Sequence, residues 1–167
     1  MTDERHWDLV AANANPHFQR IPTDEKTMHP PTVLLIDDDV NILHGLTRAL
    51  RRQPYRFLTA RSAEEAMLVL KQWPIDVIVC DEQLPGMRGS DLLIWAAEHL
   101  PDVIRIVLTG RPDVETALKA INEGRVFRFF TKPCNEIDLA IAIGEAIELR
   151  RRNKGFPATS TTEIPVP

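Results

Sequence analysis

Hydrophobic positions in this chain follow two alternating rhythms from Thr32 onward. Val33–Ile36 is an unbroken apolar run that reads as a strand, and Val77–Cys80, with two Val and one Ile, reads as a strand buried on both faces, the mark of a parallel sheet. Tyr55–Thr59, Val103–Leu108 and Val126–Phe130 complete five predicted strands, the third reaching back to Ile75. Between them the apolar residues recur at helical spacing. Asn41–Arg52 reads as a helix with Ile42, Leu43, Leu46, Ala49 and Leu50 on its inner face. Ser62 and Glu65 form a capping box that opens a second helix, ending near Trp73-Pro74. Leu84-Pro85-Gly86 turns the chain after the third strand, and Ser90 is placed to cap a third helix running to about His99. Asp113–Glu123 is the fourth helix, with Gly124 where a left-handed cap is favoured. Asn135 can cap a fifth, reaching roughly Arg152 with Ile137, Ile141 and Ile147 along it.

Strands alternating with helices, short connections and no hairpins predict an α/β fold, a doubly wound parallel sheet of five strands. In the flavodoxin-like order 2-1-3-4-5 the connections reverse direction between strands one and three, and such sheets keep their ligand crevice at the carboxyl ends of the strands. Residues 1–31, with Pro16, Pro22, Pro30 and Pro31 and few aliphatics, read as a tail outside the core. Residues 32–152 form the predicted domain, and 153–167, rich in Pro, Ser and Thr, a second tail.

Composition narrows the function classes. A length of 167 residues predicts one domain with a sizeable core. The net charge of −4 lacks the basic excess that nucleic-acid binding favours, and Arg150-Arg151-Arg152 reads as a basic end complementing a helix C-terminus. Cys80 and Cys134 fit neither a disulfide framework nor a zinc pattern, and Cys80 reads as a small buried hydrophobe. No apolar run approaches the roughly 18 residues of a membrane span. The acidic N-terminus lacks the apolar core of a signal peptide. These features predict a cytoplasmic protein with no membrane partner.

The polar residues at the strand ends carry the chemistry. Asp37 and Asp38 follow strand one, Asp81 ends strand three, Thr109 follows strand four and Lys132 follows strand five. Strand ends of a parallel sheet share one edge, so these five side chains can gather in one crevice. Clustered carboxylates repel and need a metal or a proton among them. Oxygen-only ligands favour Mg²⁺. A carboxylate facing Mg²⁺ and a lysine can attack phosphorus to give an aspartyl phosphate, while the metal, the Thr109 hydroxyl and the Lys132 ammonium neutralise the phosphoryl oxygens.

LLIDDD at 34–39, VCDEQLPGMRG at 79–89, VLTG at 107–110 and FFTKP at 129–133 together resemble the response-regulator receiver domain of two-component signalling. The resemblance spans about 32–152. It implies Asp81 as phosphoacceptor, Asp38 as direct Mg²⁺ ligand, Asp37 acting through a metal-bound water and the backbone carbonyl of Gln83 as the remaining protein ligand. It implies Thr109 as switch hydroxyl, Lys132 as phosphate-pairing lysine, a cis Lys132-Pro133 peptide, and Phe129 at the aromatic switch position. Asp39 reads instead as a cap for the first helix. Arg111, Gln83 and Glu82 are expected to line the mouth of the site.

The implied partners are a histidine kinase or phosphotransfer protein and a downstream protein target. A homodimer through the fourth helix, fifth strand and fifth helix rests on analogy alone. No enzyme activity is expected beyond self-phosphorylation and self-hydrolysis. With no second globular domain fitting after Arg152, the chain reads as a stand-alone receiver. The wording INEGRVFRFFTKP at 121–133 is nonetheless similar to receivers that precede HD-GYP phosphodiesterase or enhancer-binding activator domains, which makes a fragment of a longer regulator the alternative. A non-phosphorylated binding scaffold is a further reading, opposed by the intact set of five residues. A flavodoxin-like nucleotide or flavin binder is opposed by the absence of a Gly-rich phosphate loop after strand one.

Overall fold

The computed structural model describes residues 30–154, apart from 111, 112, 114, 116–118 and 120. Five parallel strands lie in the order β2-β1-β3-β4-β5: β1 (Thr32–Ile36), β2 (Arg56–Ala60), β3 (Val77–Asp81), β4 (Ile104–Thr109) and β5 (Arg128–Thr131). The helices are α1 (Val40–Ala49), α2 (Ala63–Gln72) and α3 (Gly89–His99), then α5 (Glu136–Asn153). The label α4 denotes the described helical residues Glu115, Lys119, Ile121 and Asn122 between β4 and β5. The predicted doubly wound sheet is what the chain forms.

Alternation along the strands divides the core into two layers. Leu34, Ile36, Ile78, Cys80 and Val107 face α2 and α3 through Ala63, Ala66, Leu70, Leu92, Leu93 and Ala96. Val33, Leu35, Val77, Val79, Ile106 and Leu108 face α1 and α5 through Leu43, Leu139, Ala142, Ile143 and Ile147. All residues of β3 and β4 are buried, as strands covered on both faces must be. The Cys80 thiol is fully buried, and burial, followed by the nearby carboxylates, pushes its pKa well up. Its reading as a small hydrophobe stands.

Local signals hold at three helix starts. Asp39 accepts from Asn41 N at 2.8 Å, Ser62 accepts from Glu65 N at 3.1 Å, and Asn135 accepts from Ile137 N at 2.8 Å. Two caps differ from expectation. The N-cap of α3 is Arg88, with no side-chain cap bond, while Ser90 is buried in the first turn and bonded to Glu82. The reason is a close backbone approach: the amide of Gly89 already donates to the Glu82 carbonyl at 3.0 Å, so the helix starts before Ser90. The left-handed residue before β5 is Arg125, at φ 47°, rather than Gly124. The Gly124 carbonyl is instead held by the buried Arg105 Nε at 2.8 Å.

Strand ends also shift. β2 runs to Ala60, β4 to Thr109 and β5 only begins at Arg128, because ladder bonds follow the neighbouring strand rather than the apolar run. Ala49, expected on the inner face of α1, is exposed. Ile137 and Ile141 lie on the outer side of α5, 69% and 57% exposed. Residues 1–29 and 155–167 of the predicted tails, and residues 114, 116–118 and 120 of the helix predicted at Asp113–Glu123, lie outside the described residues, while Asn153, expected to open the second tail, ends α5. Among the described residues no helix is long and apolar enough to cross a membrane.

Candidate functional site

The register of the sheet brings the predicted residues to one edge. Ile36 pairs with Cys80 and Asp81 with Leu108, so Asp37 follows beside Asp81, with Thr109 one residue on along the next strand. Thr109 in turn pairs with Thr131, the residue before Lys132. Oxygens of Asp37, Asp38 and Asp81 all lie within 4.8 Å of one another. Asp37 and Asp81 are buried at 3% and 5% exposure, whereas Asp38 faces solvent.

Lys132 closes the cluster. Its ammonium donates to Asp37 Oδ2 and stands 3.1 Å from Asp81 Oδ2, and its backbone N–H donates to the Thr109 carbonyl at 2.7 Å. The Lys132-Pro133 peptide is cis. The other oxygens are also held: Asp37 Oδ1 accepts from Asp39 N at 2.9 Å, and Asp81 Oδ1 from Gln83 N at 3.2 Å. Burial raises the Asp81 pKa and the Asp37 charge adds to this, against the bonds from Gln83 and Lys132. For Lys132, burial would lower the pKa, but the bonds and charges of Asp37 and Asp81 together outweigh it and hold the ammonium protonated.

Thr109 ends β4 and is buried. Phe129 pairs with Val107 in the sheet and packs half-buried against the layer beneath α2 and α3. Gln83 is exposed next to Asp81, and Arg111 lies outside the described residues. Glu82 departs from expectation. It does not line the mouth but is buried at 7% exposure, its carboxylate bonded to Ser90, and burial lifts its pKa against those bonds. No motif in the sequence pairs Glu82 with Ser90. Arg105 is the other residue that sequence reasoning passed over, a buried cation inside an otherwise apolar strand.

Three carboxylates with oxygen-only donors, two of them buried and partly neutralised by one lysine, fit a hard divalent cation such as Mg²⁺. Comparison with known proteins agrees with this fold. Residues 33–144 match the response regulator receiver domain family. The chain is 34% identical over 117 residues to the hydrogenase transcriptional regulatory protein HoxA of Cupriavidus necator, covering 70% of this chain and 24% of that protein. It is 34% identical over 133 residues to the C4-dicarboxylate transport transcriptional regulatory protein DctD of Pseudomonas aeruginosa, covering 78% of this chain and 27% of that one. A solved signal receiver domain of an HD domain-containing protein from Pseudomonas fluorescens Pf-5 superposes with a TM-score of 0.73 at 35% identity, over 74% of this chain and 99% of that domain. The chain belongs to the response regulator receiver domain family of two-component systems. It spans about a quarter of the length of the curated relatives it matches. Mg²⁺ binding at an acidic pocket and an aspartyl phosphate are typical of that family, and Asp37, Asp38 and Asp81 form an acidic cluster in this chain.

Proposed function

We propose that this chain is a phosphoacceptor switch, taking a phosphoryl group on Asp81 from the phosphohistidine of a histidine kinase or phosphotransfer protein. The observation that carries this reading is the placement of Asp81 between Asp37, Asp38 and the Lys132 ammonium at the strand ends. Asp81 Oδ attacks phosphorus in line, the N–P bond breaks, and the imidazole leaves with the bonding electrons. Asp37, Asp38, Asp81 and the Gln83 backbone carbonyl would hold Mg²⁺, which supplies charge neutralisation for the phosphoryl oxygens. Lys132 pairs with one of those oxygens, and the Thr109 hydroxyl is drawn towards another.

Movement of Thr109 is then coupled to Phe129, whose half-buried ring turns inward, shifting the surface of α4, β5 and α5 between two arrangements. A downstream protein reads that surface, or a second copy of the chain pairs through it. Turnover is limited to self-phosphorylation and self-hydrolysis. The cytoplasm is the compartment this chemistry implies. The span of only a quarter of the relatives' length favours one further reading, that this receiver operates as part of a longer regulator.

The test adds Mg²⁺ and beryllofluoride, a phosphoryl mimic, while amide NMR shifts and sedimentation are recorded. Shifts around Asp81, Thr109 and Phe129 that vanish in Asp81→Asn are the expected result, and a mass increase identifies dimerisation as the output. Mg²⁺ binding with no response to beryllofluoride turns the reading to a binding scaffold that never takes phosphate.

A further inference from the structure

Glu82 directly follows Asp81, yet its side chain is committed elsewhere. Oε2 accepts from the Ser90 N–H at 2.8 Å and Oε1 from the Ser90 hydroxyl at 2.9 Å, all buried. A buried carboxylate is costly unless fully bonded. The first turn of α3 meets that need, because its N–H groups lack helical partners and its dipole favours negative charge.

The backbone of Glu82 is equally occupied. Its N–H donates to the Leu108 carbonyl at 3.0 Å, and its carbonyl accepts from Leu84 N at 3.3 Å and Gly89 N at 3.0 Å. Between these anchors lies Gln83, whose own N–H is taken by Asp81 Oδ1 at 3.2 Å. The peptide units on either side of Gln83 are thereby fixed, one by Asp81 and the next by the Glu82 carbonyl. Gly86, at φ 78°, lets the chain return from Gln83 to α3.

We infer that Glu82 is a positioning residue for the cation site. By clasping Ser90 it locks the loop from Glu82 to Gly89, so that the Gln83 backbone is held against Asp81 by a side chain that never touches the cation. The inference rests on reading Asp37, Asp38 and Asp81 as a Mg²⁺ site. Two other roles for Glu82 make different predictions. A plain helix anchor affects stability alone, and a nearby negative charge acts through its charge rather than its bonds.

The experiment is calorimetric Mg²⁺ titration of the full chain and of Glu82→Gln, Glu82→Ala and Ser90→Ala, each with a urea melt to measure the folded fraction. A glutamine amide keeps both contacts, its oxygen accepting from Ser90 N–H and its NH₂ donating to Ser90 Oγ. Glu82→Gln is expected to bind Mg²⁺ within about 2-fold of the wild type. Glu82→Ala is expected to bind about 10-fold more weakly while still folded, the low end for partners that orient metal ligands from behind, and Ser90→Ala, which keeps the backbone N–H contact and loses only the hydroxyl one, about 4-fold more weakly. Equal weakening in Glu82→Gln and Glu82→Ala overturns the inference in favour of charge. Lower melting with unchanged Mg²⁺ affinity overturns it in favour of a helix anchor. If Glu82→Ala does not fold, Ser90→Ala decides. If the wild type binds no Mg²⁺, or Asp81→Asn binds it equally, the reading of the carboxylate cluster fails first and this inference falls with it.

Discussion

Lys132 and Asp37 are joined by a short hydrogen bond across the crevice, and the same ammonium stands 3.1 Å from Asp81. One positive charge, with its side chain only 19% exposed, therefore serves two buried carboxylates. It sits against the oxygens that a divalent cation would use. Lysine and cation then compete for Asp37 and Asp81, and the lysine's affinity for a phosphoryl oxygen is what would draw it off.

Lys132→Met should separate these roles. Without the ammonium the buried carboxylates repel uncompensated, and metal-free stability should fall by about 3 kcal/mol. Mg²⁺ no longer meets a competing charge, so its affinity should rise about 5-fold, on the order of 1 kcal/mol. Urea melts with and without Mg²⁺, together with calorimetry, check both. A drop in Mg²⁺ affinity would show that Lys132 organises the carboxylates instead of competing for them.

Gly89 seats α3 against the strand that carries Asp81. A Cβ there would lie 2.1 Å from the Asp81 carbonyl oxygen, an atom that cannot move aside. Gly89→Ala should destabilise the fold by about 3 kcal/mol. Gly45, inside α1, has nothing within 4 Å of an added Cβ, and Gly45→Ala should stabilise by about 0.5–1 kcal/mol. Opposite shifts of the urea midpoint are the expected pair of results.

Arg105 should matter for stability and not for the cation. Its guanidinium donates to the carbonyls of Gly124 at 2.8 Å and Arg125 at 3.3 Å, and also bonds to Val103. Burial, then the neighbouring Arg125, lowers its pKa. Arg105→Met strands those carbonyls and should cost about 3 kcal/mol. The site lies four residues along β4, about 13 Å away, so Mg²⁺ affinity should be unchanged. A weaker Mg²⁺ isotherm would mean that the loop before β5 communicates with the carboxylates.

Tyr55 supplies an alkaline signature. Its hydroxyl is buried without a hydrogen-bond partner among the described residues, and burial pushes its pKa up from 10.0 to about 12. The folded state therefore resists losing this proton more than the unfolded state does. The resulting stability is whole below about pH 10 and is lost as the pH rises towards 12, a change on the order of 2–3 kcal/mol. Tyr55 is the only tyrosine, so an ultraviolet titration reads it directly. Tyr55→Phe should flatten this alkaline limb with no loss of stability at neutral pH.

The order of elements, the two-faced burial of β3 and the gathering of Asp37, Asp38, Asp81, Thr109 and Lys132 at one edge were all legible in the sequence. Each follows from periodicity plus the rule that parallel strands share their carboxyl edge, so a strand-end residue has few places to go. The caps at Asp39, Ser62 and Asn135 were legible for a similar reason, since each bonds only to its own next turn. What the tertiary structure alone decided involves groups distant in the chain or choices between equivalent partners. Ser90 does not cap α3, because the bond from Gly89 N to the Glu82 carbonyl starts the helix before it, and its own hydroxyl and N–H go to the Glu82 carboxylate eight residues back. The left-handed turn fell to Arg125 rather than Gly124, whose carbonyl is held by Arg105, nineteen residues away. Lys132 bonded to Asp37 across 95 residues while also facing Asp81, and no spacing rule chooses between two carboxylates at the same sheet edge. Local hydrogen bonds are written in neighbouring residues, whereas the pairing of buried charges is set by which of them the packed sheet leaves within reach.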